Sequence, residues 1–156
     1  MPTSKFLTIA LLTATLLTPA ELPTKKILTL AAIKNMAAAV EAEAQKRNVH
    51  VTLAIVDDSL NLLYLEKGDD ASLNTILFAQ KKARHAAAFH SPSRLAADKV
   101  KSGDLSGMAL PDYFPNQGGL PIKVDNVTIG GIAVSGASSD VDEAIAQAAL
   151  DATPLK

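Results

Sequence analysis

Apolar residues along the chain follow two alternating patterns, one with a period near 3.6 and one with a period of two. Ile33, Met36, Val40 and Ala44 recur at steps of three and four. That spacing predicts a helix over 30–47, with Thr29 as its cap. Val49, Val51, Leu53 and Ile55 then alternate with His50, Thr52 and Ala54, which predicts a strand. Asp57-Asp58-Ser59 breaks it, and residues 62–66 complete a hairpin. Gly68-Asp69-Asp70 breaks the pattern again, and Asp70 or Ser72 caps a second long helix. Its expected buried face carries Leu73, Ile76, Leu77, Ala83 and Ala87, interrupted by Gln80. Pro92 ends this helix, because the residue before a proline disfavours helical backbone. Ser93 caps a short third helix over 95–101.

Residues 102–120 read as an irregular loop rich in Gly, Ser and Pro, with Tyr113 and Phe114 inside it. A loop of that length in a small domain is unusual unless it has a task. A second hairpin follows over 121–124 and 127–134, where Asn126 tolerates the positive φ of a tight turn. Gly130-Gly131 within its last strand marks a close backbone approach or a bulge. Asp140 caps a final helix that runs through Ala152. The order is α-β-β-α-α-β-β-α. Paired strands of this kind predict an α+β domain, a mostly antiparallel sheet of four to five strands flanked by helices. No strand–helix–strand crossover carries a G-x-G-x-x-G turn, which disfavours a parallel dinucleotide-binding sheet.

The N-terminus has a different character. One positive charge, Lys5, precedes a twelve-residue apolar run over 6–17, and Thr18-Pro19-Ala20 supplies a turn and small residues. This is the layout of a secretory signal cleaved after Ala20. The run is short for a bilayer span. The expected organisation is a signal peptide over 1–20 and one domain over 21–156, in the periplasm or secreted, with no membrane span in the mature chain.

Composition narrows the function. The chain has 156 residues and no cysteine, so thiolate metal sites and cysteine nucleophiles are excluded. A formal charge of -1 and only 4% aromatic residues give neither the basic face nor the exposed rings that nucleic-acid binding needs. The three histidines form no H-E-x-x-H pair, and the Asp pairs lack the spacing of a calcium loop. Ser135-Gly136 does not make a G-x-S-x-G elbow, so no catalytic motif is recognised.

One constellation carries candidate chemistry. Phe78, Lys82, His85 and Phe89 fall at i, i+4, i+7 and i+11 on the second helix and form one stripe. Two flat rings, an imidazole and an ammonium on one side are what a haem or similar tetrapyrrole requires: apolar walls, an axial ligand, a cation for a propionate. His85 is the expected iron ligand and Lys82 the propionate partner, with His90 able to reach the same region from the helix end. The same rings would equally serve as ordinary core, with His85 solvated.

Three stretches together resemble the haem-binding HbpS/GlcG-like family. They are Lys82-Ala83-Arg84-His85-Ala86-Ala87-Ala88-Phe89-His90-Ser91-Pro92-Ser93, then Gly118-Gly119-Leu120-Pro121-Ile122, then Ile129-Gly130-Gly131-Ile132-Ala133-Val134-Ser135-Gly136-Ala137 followed by Asp140. The likeness covers about residues 27–152. It implies a profilin-like fold, homo-oligomers and, in some members, haem or other tetrapyrrole binding. The usual residue at position 85 in the family looks like Thr, whereas this chain has His, a better iron ligand. The expected function is a haem-binding protein for storage, sensing or scavenging. A second reading is an enzyme or binding protein for a small organic molecule, with residues 111–119 as a lid. A third is an interaction module, for which the Ala-rich first helix would suit assembly.

Overall fold

The computed structural model describes residues 19–156. The apolar run over 6–17, with the rest of the expected signal up to Thr18, lies outside the described residues.

Four helices and one short 3-10 turn surround four strands. The order is α1 (Leu30–Arg47), β1 (Thr52–Asp57), β2 (Leu62–Lys67), α2 (Thr75–Ala88), α3 (Ser93–Lys101), the 3-10 turn Ser106–Ala109, β3 (Gly119–Val124), β4 (Val127–Ser135) and α4 (Ser139–Asp151). The sheet order is β2-β1-β4-β3, and every pairing is antiparallel, so the expected α+β architecture is the observed one. Both hairpin turns follow their sequence signals. Asp57 collects the amides of Ser59 and Asn61 at 2.9 and 2.8 Å, and Asp125 and Asn126 both take positive φ.

The two faces of the sheet are packed differently. On one face Ile33, Met36 and Val40 of α1 and Ile145, Ala146 and Ala149 of α4 close over Leu53, Ile55, Ile122, Ile132 and Val134. This is the thick aliphatic core, built from the strand positions of period two. On the other face the layer is thin: Ala54, Val56 and Ala133 of the sheet meet Ala79, Ala83 and Ala87 of α2. Glycines let α2 come this close. A Cβ on Gly131 would stand 2.2 Å from the Ala83 carbonyl oxygen, and one on Gly119 would stand 2.3 Å from the Lys82 carbonyl oxygen. The close approach expected at Gly130-Gly131 is therefore real.

The buried face of α2 corrects the sequence expectation in part: Ala83 and Ala87 are buried as expected, but the leucines are not. Leu73 is 82% exposed and precedes the helix, and Leu77 is 52% exposed. The chain turns over Ser72, whose carbonyl accepts from the Thr75 amide and hydroxyl, and the helix starts at Thr75. An alanine ridge seats the helix nearer to the sheet than leucines could, which turns the leucines outward. Ser93 also differs from expectation. It is buried inside α3 at its first residue, donates to the Asn116 carbonyl at 2.7 Å and accepts from the Gly119 amide at 2.9 Å.

Candidate functional site

The segment 110–118 lays two groups of rings along α2, Phe114 on Phe78 in the first turn of the helix and Tyr113 on His85 and Phe89 at its end. At the helix end the Phe89 amide still bonds the His85 carbonyl at 2.9 Å, and His90 leaves the helix with φ 54. The segment then returns over this end. The Phe114 amide donates to His85 Nδ1 at 3.0 Å. The His85 ring stacks on Phe89 at 4.6 Å between centroids and meets the edge of Tyr113 at 5.3 Å. Phe89 and Tyr113 are 5.6 Å apart, edge to face, and Phe78 and Phe114 are 5.8 Å apart. Lys81 Nζ sits 5.5 Å from the centroid of Phe114, a cation over a ring. Phe78, Phe89, Tyr113 and Phe114 are all half-buried, His85 is buried, and Lys81 and His90 are exposed.

The segment is held at several points. Arg84 Nε pairs with Asp112 Oδ1 at 2.7 Å, and Arg84 Nη1 bonds the Leu60 carbonyl at the β1–β2 turn. The Tyr113 hydroxyl donates to the Ala96 carbonyl at 3.3 Å, and the Tyr113 ring packs on Gly107, where a Cβ would stand 2.4 Å from it. Ser93 fixes Asn116 and Gly119. A lid over 111–119 would have to break these bonds to open.

Two sequence-based roles change in this geometry. Lys82 is 2% exposed, and its ammonium bonds Asp142 Oδ2 at 2.8 Å and the Val134 carbonyl at 3.1 Å. It ties α2 to β4 and α4 beneath the surface, so the role of propionate partner at a rim is corrected. Asp142 Oδ1 accepts from the Ala137 amide. Burial pushes the Asp142 carboxyl above its usual range, against the lowering pull of the Lys82 ammonium and of the neighbouring amides. His85 is 1% exposed, and burial pushes its imidazole below the usual value, with the Asp112 backbone carbonyl opposing. The ring is therefore neutral at pH 7. Because Nδ1 accepts from Phe114, the proton of the neutral ring resides on Nε2. Neither nitrogen then offers a lone pair, and the expected axial role of His85 is corrected to one of holding the loop. His90 is exposed, and its imidazole makes no side-chain hydrogen bond among the described residues. His50 stands apart, with its carbonyl against Gly136.

Sequence reasoning placed Phe78, Lys82, His85 and Phe89 on one stripe of α2 with His90 at its end, but did not join Phe114 and Lys81 to them. The available signal was compositional: two of the chain's six Phe and Tyr residues stand side by side in a loop. No group of three or more His, Asp or Glu side chains placed to hold a metal ion occurs among the described residues.

Comparison with known proteins agrees with this fold. Residues 28–151 match the family described as haem degrading protein HbpS-like. The protein GlcG of Escherichia coli K12 is 34% identical over 112 residues, covering 72% of this chain and 84% of GlcG. The crystal structure of HbpS superposes with a TM-score of 0.79 at 30% identity, covering 86% of this chain and 96% of that one. The crystal structure of a PduOC:heme complex gives 0.75 at 28% identity, covering 81% and 95%. The chain belongs to the HbpS-like family, which also takes in its likeness to GlcG.

Proposed function

We propose that this member of the HbpS-like family binds haem, or a tetrapyrrole of the same shape, on the shelf along α2 where the segment 110–118 packs Phe114 on Phe78 and Tyr113 on Phe89. Two pairs of half-buried rings carry this reading: Phe78 with Phe114 under the exposed Lys81 ammonium, and Phe89 with Tyr113 next to the exposed His90 imidazole. Flat apolar faces suit a macrocycle. Bound haem would supply an iron that accepts an imidazole ligand. His90 is the side chain with that imidazole free, and Lys81 is the cation for a propionate. His85 holds Phe114 in place from below. The haem complex of a relative supports the ligand class.

Adding hemin to the purified protein tests the reading. The expected result is a saturable change of the Soret band at one haem per chain. Phe114→Ala should weaken binding about tenfold, the equivalent of about 1.4 kcal/mol lost with one ring contact. A wild-type titration without saturation would end the proposal.

The role we assign is storage, sensing or scavenging of haem outside the cytoplasm. The N-terminal layout of charge, apolar run and Thr18-Pro19-Ala20 supports export. Sequencing the N-terminus of the protein from its own host should give a start at or near Glu21; a start at Met1 would contradict export. Assembly into a homo-oligomer belongs to the same reading. Leu62, Leu63 and Leu65 are 46%, 40% and 37% exposed on edge strand β2, which leaves an apolar sheet edge without cover. Light scattering at micromolar concentration should give a multiple of the chain mass, and the mass of one chain would count against it.

A further inference from the structure

We propose that the aromatic shelf has an acid-operated gate: a proton on His85 frees the Phe114 stretch of the segment 110–118 and so releases the ligand lying on the rings. The ligand is that of the proposed haem reading, on which the release rests; the geometry of the gate belongs to this chain alone.

The segment reaches α2 through a bond that one proton can break. The Phe114 amide donates to His85 Nδ1 at 3.0 Å. A backbone donor is thus satisfied by the side chain whose charge ordinarily changes between about pH 5 and 8. A proton on Nδ1 turns this acceptor into a donor. Two N–H groups would then face each other, and the half-buried Phe114 amide would lose its partner. Either the amide moves out to water or the ring stays neutral.

The surroundings offer an imidazolium no counter-charge. The His85 ring lies against Phe89 and Tyr113, and the Tyr113 hydroxyl is turned to the Ala96 carbonyl. On its own helix Lys82 is a like charge, paired with Asp142 of α4 at 2.8 Å. Arg84 takes the Asp112 carboxylate of the segment at 2.7 Å. Lys81 sits over Phe114, and His90 beyond the helix end is exposed. From α3, Arg94 pairs with Glu143 of α4 and with Asp98, and the other charged residues of α3 are exposed. The strands beneath α2 add nothing: β4 has no charged residue, Lys123 of β3 is exposed, and Asp57 at the end of β1 is engaged by the amides of its own turn. Every carboxylate near this end of α2 is already held by another partner. Burial pushes the His85 pKa below its usual value, with the Asp112 carbonyl opposing, so the closed segment resists the proton and acid favours the form in which the ring is wet.

The other ties of the segment contain no imidazole: Arg84 with Asp112, the Tyr113 hydroxyl with Ala96, and Ser93 with Asn116. They hold the chain on either side of residue 114. Motion is therefore confined to the stretch that lays Phe114 on Phe78, and a ligand on these rings loses that contact when the stretch lifts.

The test uses the full chain and metal-free protoporphyrin IX, whose binding does not depend on ligation by His90. Without porphyrin, hydrogen exchange followed by NMR should show the protection factor of the Phe114 amide falling about tenfold from pH 7.5 to pH 5. The Gly119 amide, bonded to the Ser93 hydroxyl, should keep its protection. His85→Gln, which can accept the amide without titrating, should hold Phe114 protection constant, and the wild-type series stands without the variant. Porphyrin affinity, read by fluorescence, should weaken with acid about tenfold more in wild type than in His85→Gln; the titration of the porphyrin itself is common to both. The gate is overturned by Phe114 protection that does not change with pH in wild type, by the same loss in His85→Gln, or by affinities with equal pH dependence in the two proteins. Absence of porphyrin binding at pH 7.5 would end the haem reading and the release with it, whereas a pH-insensitive amide beside normal binding would end the gate alone.

Discussion

At pH 7 the His85 imidazole is neutral, because burial among Phe89, Tyr113 and Phe114 disfavours its charged form. Its value in the fold is as an acceptor for the Phe114 amide. Protonation at Nδ1 would remove that acceptor and place a charge among rings. The folded-state pKa is depressed below that of the unfolded chain, about 6.5. Below that pH the unfolded state binds more protons, so stability falls as the pH drops toward the depressed folded value. Urea unfolding at pH 7.5, 6 and 5 should show this loss, and His85→Gln, which can accept the amide without titrating, should flatten it. An identical pH slope in the variant would assign the loss to other groups. The residue type and helix position of His85 were legible in the sequence, and its role was not. The deciding partner is a backbone amide 29 residues away. The same holds for Lys82, whose carboxylate partner Asp142 lies 60 residues on. Helical spacing puts a side chain on a stripe, but burial and pairing are set by what packs on that stripe.

The seating of α2 on the sheet explains which elements could be read in advance. The Thr29 cap and the Asp125-Asn126 turn are local signals that appear where the sequence puts them, and the alternating first strand appears three residues later than its Val49 start, as Thr52–Asp57. Gly130-Gly131 was legible as a close approach because glycine inside a strand has few other uses. Ala83 and Ala87 of the expected buried face of α2 are buried, but Leu73 and Leu77 were misplaced on it because leucine outweighs alanine in hydrophobicity. A helix that rests on glycines instead buries its smallest residues, and Ala79, Ala83 and Ala86 are fully covered. Gly131→Ala tests this seating. Its Cβ would meet backbone, not a flexible side chain, so α2 must lift. The expected cost is about 1–3 kcal/mol in chemical denaturation. A change near zero would mean that the helix is not held at this distance.

Across the whole molecule, hairpins separated by helices are sufficient to specify one antiparallel sheet with a thick aliphatic face and a thin alanine face. The thin face is what brings the end of α2 against the returning segment 110–118, and the candidate haem shelf exists because of that contact. With haem on this shelf, His90 at the helix end would be the residue to hold its iron, and His85 supports the shelf from beneath. The most direct measurement is the absorbance and electron paramagnetic resonance spectrum of hemin bound to wild type, His90→Ala and His85→Gln. His90→Ala alone should change the iron-ligand signature and displace the Soret band, while His85→Gln should keep the wild-type spectrum at weaker affinity. A wild-type spectrum in His90→Ala, or an altered axial signature in His85→Gln alone, would contradict it.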